Sequence, residues 1–326
     1  IKFRIKNKGV FMIIVTGGAG FIGSNIVRGL NNLGIDDIII IDDLKNGSKH
    51  KNLNRIKFKD YIDKEDSIDF INKSKDKIDA IFHQGACSDT METDGNYMMK
   101  NNYETSKNIL HICLENKIRL FYASSASVYG NGENGFAEKE ENEYPLNVYA
   151  FSKYQFDRYV NKLAKEKKIN GQVVGLRYFN VYGPQENHKG RMASVAFHLF
   201  NQIKSGENMK IFEGSEKFLR DFIHVDDVVS VNNFFFENEK IRGIFNCGTG
   251  AGESFLEIAK ALKEIYPKAN IEYIPFPDAL KGKYQKFTQA DLTLLREAGY
   301  NKNFMNVNSG VKKYAKVLEE SGGYLM

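Results

Sequence analysis

Tyr149 and Lys153 stand four residues apart in a stretch, 148–167, whose apolar residues recur at helical spacing. That spacing puts a phenol and an ammonium on one helical face. On its own the pair is common on helix surfaces. It gains weight from Ser125, which ends an apolar run 24 residues earlier, because a serine there can hold the oxygen of a reacting alcohol. Together the three side chains suit oxidation of an alcohol: the phenol takes the hydroxyl proton, and the ammonium favours the phenolate and grips a ribose. An unperturbed tyrosine has a pKa of about 10, so a base useful near neutrality needs roughly 3 to 4 kcal/mol of help. A neighbouring lysine and an oxidised nicotinamide ring both act in that direction.

Such a site needs a dinucleotide held beside it, and the start of the chain supplies the means. The run Ile13-Ile14-Val15-Thr16-Gly17-Gly18-Ala19-Gly20-Phe21-Ile22-Gly23 is an apolar strand, a glycine-spaced turn and a helix start. Gly17, Gly20 and Gly23 permit a tight turn, close approach of backbone N–H groups to a pyrophosphate, and close packing of helix on strand. A second apolar run ends in Asp42-Asp43, 19 residues beyond Gly23, where the ribose hydroxyls belong. Strand-like runs at 12–16, 38–42, 55–59, 80–83, 120–124 and 173–178 alternate with helical ones, notably 96–115 and 148–167. This predicts an α/β fold, a Rossmann doubly wound parallel sheet. Beyond Gly183 the pattern loosens into a helix near 193–203, strands near 210–212, 221–225, 243–246 and 271–274, and two final helical runs, with Pro275 and Pro277 between. We expect residues 12–182 and 218–250 to form the cofactor-binding domain, and 183–217 with 251–326 a smaller C-terminal α/β substrate-binding domain. Residues 1–11 read as an upstream extension, because Met12 opens the first core strand.

The 326 residues are 42% hydrophobic, enough for a substantial core. The net charge of +5 is spread along the chain and argues against nucleic acid as a partner. No apolar run reaches the roughly 20 residues that span a bilayer, so no membrane partner is expected. Cys87, Cys113 and Cys247 form no C-x-x-C pair and suit reduced thiols in the cytoplasm. His83 and Cys87 lie four apart without further ligands, so no metal is expected. The run Phe234-Phe235-Phe236 reads as core.

The glycine turn, Ser125-Ala126-Ser127-Val128-Tyr129-Gly130, Tyr149-x-x-x-Lys153 and Arg220-Asp221-Phe222-Ile223-His224-Val225-Asp226-Asp227 resemble the extended short-chain dehydrogenase/reductase family acting on nucleotide sugars. Runs at 97–103, 177–184, 188–190, 192–198, 212–215 and 274–277 narrow the resemblance to the branch that inverts C-6 of an ADP-linked heptose for lipopolysaccharide core synthesis. That resemblance implies tightly bound NADP, with NAD usable, and a homo-oligomer, expected to be a pentamer. It places Phe21, Ile22, Asp42, Asp43, Lys49, Lys64, Gln84, Gly85, Ala86, Cys87, Ser88, Asn101, Tyr149, Lys153 and Val181 around the cofactor. It assigns Asn180, Val181, Arg191, His198, Phe212, Glu213, Gly214, Ser215, Arg220 and Tyr284 to the nucleotide-sugar site, and makes Lys189 a second acid/base.

The chain departs from the branch at two positions. Gln84 stands for a glutamate, and Arg191 stands for a serine, where an arginine could reach a phosphate instead of the sugar. Without the resemblance, Arg220 and Lys189 would read as solvated loop charges. Asp42 alone would favour NAD, but Lys45, Lys49 and Lys51 follow closely enough to neutralise a 2′-phosphate. A UDP-sugar 4-epimerase would share every cofactor motif. A 4,6-dehydratase fits less well, since Ser125-Ala126-Ser127 offers no acid for eliminating water. A non-catalytic Rossmann sensor would not need Ser125, Tyr149 and Lys153 together.

Overall fold

The computed structural model describes residues 12–276 and 285–325; the segment 1–11, Pro277 and Tyr284 lie outside the described residues. The strands are β1 (Met12–Thr16), β2 (Ile38–Asp42), β3 (Asp60–Asp63), β4 (Ile78–His83), β5 (Arg119–Ser125), β6 (Val173–Tyr178), β7 (Asn180–Tyr182), β8 (Met209–Phe212), β9 (Leu219–His224), β10 (Gly243–Cys247), β11 (Gly252–Ser254) and β12 (Ile271–Ile274). The helices are α1 (Phe21–Asn32), α2 (Ser67–Ser74), α3 (Gly95–Met98), α4 (Thr105–Asn116), α5 (Val148–Lys165), α6 (Val195–Lys204), α7 (Val225–Glu237), α8 (Phe255–Ile265), α9 (Thr293–Glu297) and α10 (Val307–Ser321).

Among the described residues, seven strands form one sheet in the order β10-β6-β5-β4-β1-β2-β3, with every pair parallel. Parallel strands covered on both faces must be apolar throughout, and alternate residues divide between two cores. Ile13, Val15, Ile38, Ile40, Phe82 and Phe121 face one core; Met12, Ile14, Ile39, Ile41, Ile81 and Leu120 face the other. Phe235 lies in the first core, and Phe234 and Phe236 pack against it, as their sequence suggests. The order reverses between β1 and β4. A crevice therefore opens at the carboxyl ends of those strands, where open α/β sheets bind ligands.

Two expectations change. The third strand is Asp60–Asp63, not 55–59, because Ile56 turns inward as a buried anchor and pairing starts only with Lys59 N donating to Ile38 O at 2.7 Å. The expected helix at 96–115 is interrupted by a π-turn at Met99–Glu104 between α3 and α4. There Asn102 is buried and bonds across to Cys87 and Ser152, a pull that a regular α-helix would not accommodate.

A second body of structure gathers around α6, α8, α10 and the parallel pair β8–β12, with its own core of Leu199, Phe200, Met209, Leu262, Val311 and Tyr314. The small sheet β11-β9-β7 lies between the two cores, with Phe222 in the second and Ile223 in the first.

Candidate active site

The glycine turn has the shape that a pyrophosphate requires. Gly17 adopts φ +67°, and a Cβ on Gly23 would sit 2.1 Å from the Gly17 carbonyl oxygen, so neither position accepts a side chain without displacement. Gly20 caps α1 with no side-chain hydrogen bond, and no acidic residue lies in the first turn. The leading N–H groups of α1 therefore remain available to an anion, in a positive helix-end field. Gln84, at the end of β4, follows the strand across the crevice, and its buried Nε2 has no partner among the described residues. These features fit a dinucleotide.

Asp42 braces the turn. Its Oδ2 accepts from Ala19 N at 2.8 Å, and its Oδ1 accepts from Asp43 N at 2.7 Å and from Lys49 Nζ at 2.5 Å. Lys64 pairs with Asp43 at 3.0 Å, and Lys49 also lies 3.7 Å from that carboxylate. Burial pushes the Asp43 carboxyl up, but the hydrogen bond from Lys64 and the charges of Lys49 and Lys64 outweigh it, leaving the group below its ordinary value. Two carboxylates are thus matched by two ammonium groups.

At the far side of the switch point, the Asn147 Oδ1 accepts from Ala150 N at 2.8 Å and starts α5. Tyr149 and Lys153 follow on one face. Ser125 Oγ accepts from Ser127 N at 3.2 Å and from Ser127 Oγ at 2.9 Å, and it is the neighbouring side chain that favours ionisation of Tyr149. Lys153 Nζ donates to the Ala123 carbonyl at 2.9 Å. Burial pulls the Lys153 amine down to about 8, opposed by the charges of Asp157 and Cys87. The expected lowering of the phenol by Lys153 is absent from the protein alone. Burial raises Tyr149, and only the Ser125 hydrogen bond works the other way.

Behind this pair, Asp157 lies two turns after Tyr149 and is fully buried. It accepts from Tyr122 Oη at 2.9 Å, Ser124 Oγ at 2.8 Å and Arg177 Nε at 2.9 Å. Arg177 also donates to Tyr129 Oη at 2.9 Å and pairs with Glu143. Sequence reading missed this network. Its one signal was polar residues inside otherwise apolar strands. His83 is locked between Thr16 Oγ1 at 2.7 Å and Ser106 Oγ at 2.9 Å, with burial and then Lys153 holding it down to about 3. It is therefore a neutral structural link. Beside it, Cys87 is half-buried, its backbone held by Asn102, while Asn101 donates to Asn102 Oδ1 at 2.9 Å.

Lys189 lies on the turn Asn187–Met192, with its ammonium 5.2 Å from the centre of the Phe21 ring at the start of α1. The turn is stitched to the neighbourhood of the glycine turn: Asn46 Nδ2 donates to His188 O at 3.1 Å, and Asn52 Nδ2 donates to Ala19 O at 2.9 Å and to Gln185 O at 3.1 Å. The position of Lys189 against Phe21 thus brings an ammonium group to the start of α1, beside the glycine turn. Arg191, by contrast, is exposed and pairs with Asp89 at 2.9 Å.

The remaining expected substrate residues lie on β7, on α6, at the end of β8 with the turn after it, and on β9. Asn180 donates to Asp221 O at 3.2 Å, Val181 pairs with Ile223 in the small sheet, and His198 is half-buried on α6. Phe212 packs on Phe276 with ring centres 5.3 Å apart, Glu213 N donates to Ile274 O at 2.9 Å, Gly214 has φ +78°, and Ser215 is buried. Arg220 is buried, not solvated, and donates to Leu219 O at 3.1 Å.

A parallel Rossmann sheet with a Ser-Tyr-Lys group beside its switch point defines a nucleotide-dependent short-chain enzyme. Residues 13–248 match the model of the NAD dependent epimerase/dehydratase family, and the chain belongs to that family. It is 81% identical over 318 residues to the ADP-L-glycero-D-manno-heptose-6-epimerase of Brachyspira hyodysenteriae, covering 97% of this chain and all of that protein. The crystal structure of the Helicobacter pylori ADP-L-glycero-D-manno-heptose-6-epimerase superposes with a TM-score of 0.83 at 31% identity, covering 98% of this chain and 100% of that one. A UDP-N-acetylglucosamine 4-epimerase from Methanobrevibacter ruminantium gives 0.82 at 26% identity, covering 94% and 97%.

Proposed function

We propose that this protein interconverts ADP-D-glycero-D-manno-heptose and ADP-L-glycero-D-manno-heptose, the precursors of lipopolysaccharide core heptose, by inverting C-6. The observation that carries this reading is the bond from Lys153 to the Ala123 carbonyl, which ties the helix of Tyr149 to the strand that ends in Ser125, in a chain so similar to a protein of that name. Ser125 holds the reacting oxygen and Tyr149 accepts its proton, while Lys153 grips the cofactor ribose and favours the phenolate. A bound oxidised nicotinamide would supply reversible hydride transfer at the sugar carbon and a positive charge that favours the phenolate. Inversion needs proton transfer in two orientations of the sugar. Tyr149 serves one epimer, and Lys189, carried on a separate segment, serves the other.

The cofactor family is NAD(P), and we assign NADP as preferred, with NAD usable. Asp42 and Asp43 would repel a 2′-phosphate if bare, but Lys49 and Lys64 neutralise both. Asn180, Val181, His198, residues 212–215, Arg220 and, outside the described residues, Tyr284 are proposed to line the sugar nucleotide. Residues 12–182 and 218–250 make the cofactor unit in this reading, and 183–217 with 251–326 the substrate unit. The three cysteines are free thiols, which supports a cytoplasmic setting. Among the described residues no helix is long and apolar enough to cross a membrane. We further propose a homopentamer, which the mass of the native assembly would test.

Incubation with ADP-, UDP- and GDP-sugars, followed by proton NMR, tests the activity. The expected result is a change of couplings at C-6 of the ADP-heptose alone. Inversion at C-4 of a UDP-sugar, without action on the heptose, would overturn it.

A further inference from the structure

Asn52, on the turn Gly47–Leu53 that follows β2, is only 1% exposed, and its amide is spent as a donor in two directions. Nδ2 donates to Ala19 O of the glycine turn at 2.9 Å and to Gln185 O, just ahead of the turn Asn187–Met192, at 3.1 Å. Those two bonds use both amide hydrogens. The Oδ1 is buried as well and has no partner among the described residues. An unpaired buried carbonyl is a cost that an apolar side chain of similar size would avoid, so what the amide contributes here is its two donors.

Each bond meets a piece of backbone that needs holding. Ala19 is gripped from both sides, its N donating to Asp42 Oδ2 at 2.8 Å and its O accepting from Asn52. Gln185 adopts φ +79°, in the left-handed region that a residue with a Cβ rarely enters. A reciprocal pair keeps it there: Gln185 O accepts from Asn52 Nδ2, and Gln185 Nε2 donates to Asn52 O at 2.9 Å. Strained backbone persists only where its surroundings over-determine it, and it gathers at working sites. From Gln185 the chain runs straight into the turn of Lys189. Lys189 N donates to Glu186 O at 2.9 Å, and the buried Glu186 side chain accepts from Ser194 N at 2.6 Å, which closes the turn at its far end.

We propose that Asn52 is a positioning residue that makes the glycine turn and the turn of Lys189 one unit, so that seating the dinucleotide on the first orders the second. This rests on the reading of the glycine turn as the dinucleotide site. The consequence is an order of events, in which the turn of Lys189 is set by the cofactor before a sugar arrives. By reciprocity, an ordered turn at 187–192 tightens the cofactor. A second link joins the same two segments, the Lys189 ammonium 5.2 Å from the centre of the Phe21 ring, and the experiment must separate the two.

The test is hydrogen exchange of the amides of residues 187–192, followed by mass spectrometry with and without saturating NADP, in the parent, Asn52→Leu and Lys189→Met. Calorimetric titration alongside establishes saturation. In the parent the cofactor should slow this exchange about fivefold or more, the lower end of couplings between sites. In Asn52→Leu the difference between free and loaded protein should vanish although the cofactor still binds, and in Lys189→Met it should persist. A staple with no coupling role would speed exchange in both states alike and leave their ratio unchanged. Equal rates in the free and loaded parent overturn the proposal, as does slowing that survives Asn52→Leu; slowing lost in Lys189→Met would give the coupling to the ring contact instead. Should Asn52→Leu not fold, Asn52→Ser takes its place, since one hydroxyl donor cannot serve both carbonyls, and slowing that survives there overturns the proposal equally. A parent that binds neither NADP nor NAD would sink the dinucleotide reading and this proposal with it, whereas binding without slowing at 187–192 sinks the role of Asn52 alone.

Discussion

Lys153 donates to the Ala123 carbonyl at 2.9 Å and so ties the helix that carries Tyr149 to the strand that ends in Ser125. One side chain thus sets the spacing of the other two. With its pKa pulled to about 8 by burial, the amine is charged below that pH and neutral above it. Cofactor affinity is therefore expected to fall as pH rises through about 8 in the parent. In Lys153→Met it should be roughly tenfold weaker at pH 7 and lack that step, measured by calorimetric titration with NADP.

Tyr149→Phe keeps the ring and removes only the proton acceptor. We expect epimerisation to drop by at least about a hundredfold with the cofactor still bound. Activity equal to the parent's would remove Tyr149 from the mechanism.

Lys49→Met leaves Asp42 without its ammonium partner beside the proposed ribose site. A dianionic 2′-phosphate should suffer more from this than a hydroxyl, so the NADP affinity is expected to fall about tenfold relative to that for NAD. Parallel titrations with the two cofactors would read the ratio; an unchanged ratio would take Lys49 out of cofactor selection.

Asp226 links α1 to α10, pairing with Arg28 and, at 2.6 Å, with Lys313. Burial raises its carboxyl, but the charges of His224, Arg28 and Lys313 outweigh that and bring it from 3.8 to about 2. A depressed carboxyl stabilises the fold above its unfolded pKa and loses that contribution as pH falls from about 4 through about 2. Asp226→Asn should cost roughly 2 kcal/mol at neutral pH and flatten this part of the acid limb, as followed by urea denaturation at several pH values.

The cofactor crevice was legible because its parts are local in sequence: a strand, a glycine turn and a helix within residues 12–32, and a tyrosine–lysine pair within one helix. The third strand was placed five residues early because Ile56 looks like a strand residue until tertiary packing turns it into an anchor. Asp157, Arg177 and Glu186 were illegible as a group for the opposite reason. Their partners lie on other elements, Tyr122 and Ser124 for Asp157, Tyr129 and Glu143 for Arg177, and a buried charge declares itself only when its surroundings are known. Lys189 read from its neighbours alone is a loop charge; the family resemblance singled it out, and contact with Phe21 sets it beside the glycine turn.

The turn bearing Lys189 is also held from the end of the described chain. Gln185 N donates to Gly323 O at 2.8 Å, Asn187 Nδ2 donates to Gly322 O at 2.7 Å, and Leu325 N donates to Gln185 Oε1 at 3.4 Å. Residues 322–325 therefore act as a wedge behind the turn that carries Lys189, although they belong to no strand or helix of the Rossmann sheet. A fusion partner that tugs on this tail would pull, through Gln185 and Asn52, on the Lys189 turn and the glycine turn together, so the position of a tag is itself a variable in any measurement of this enzyme's rate.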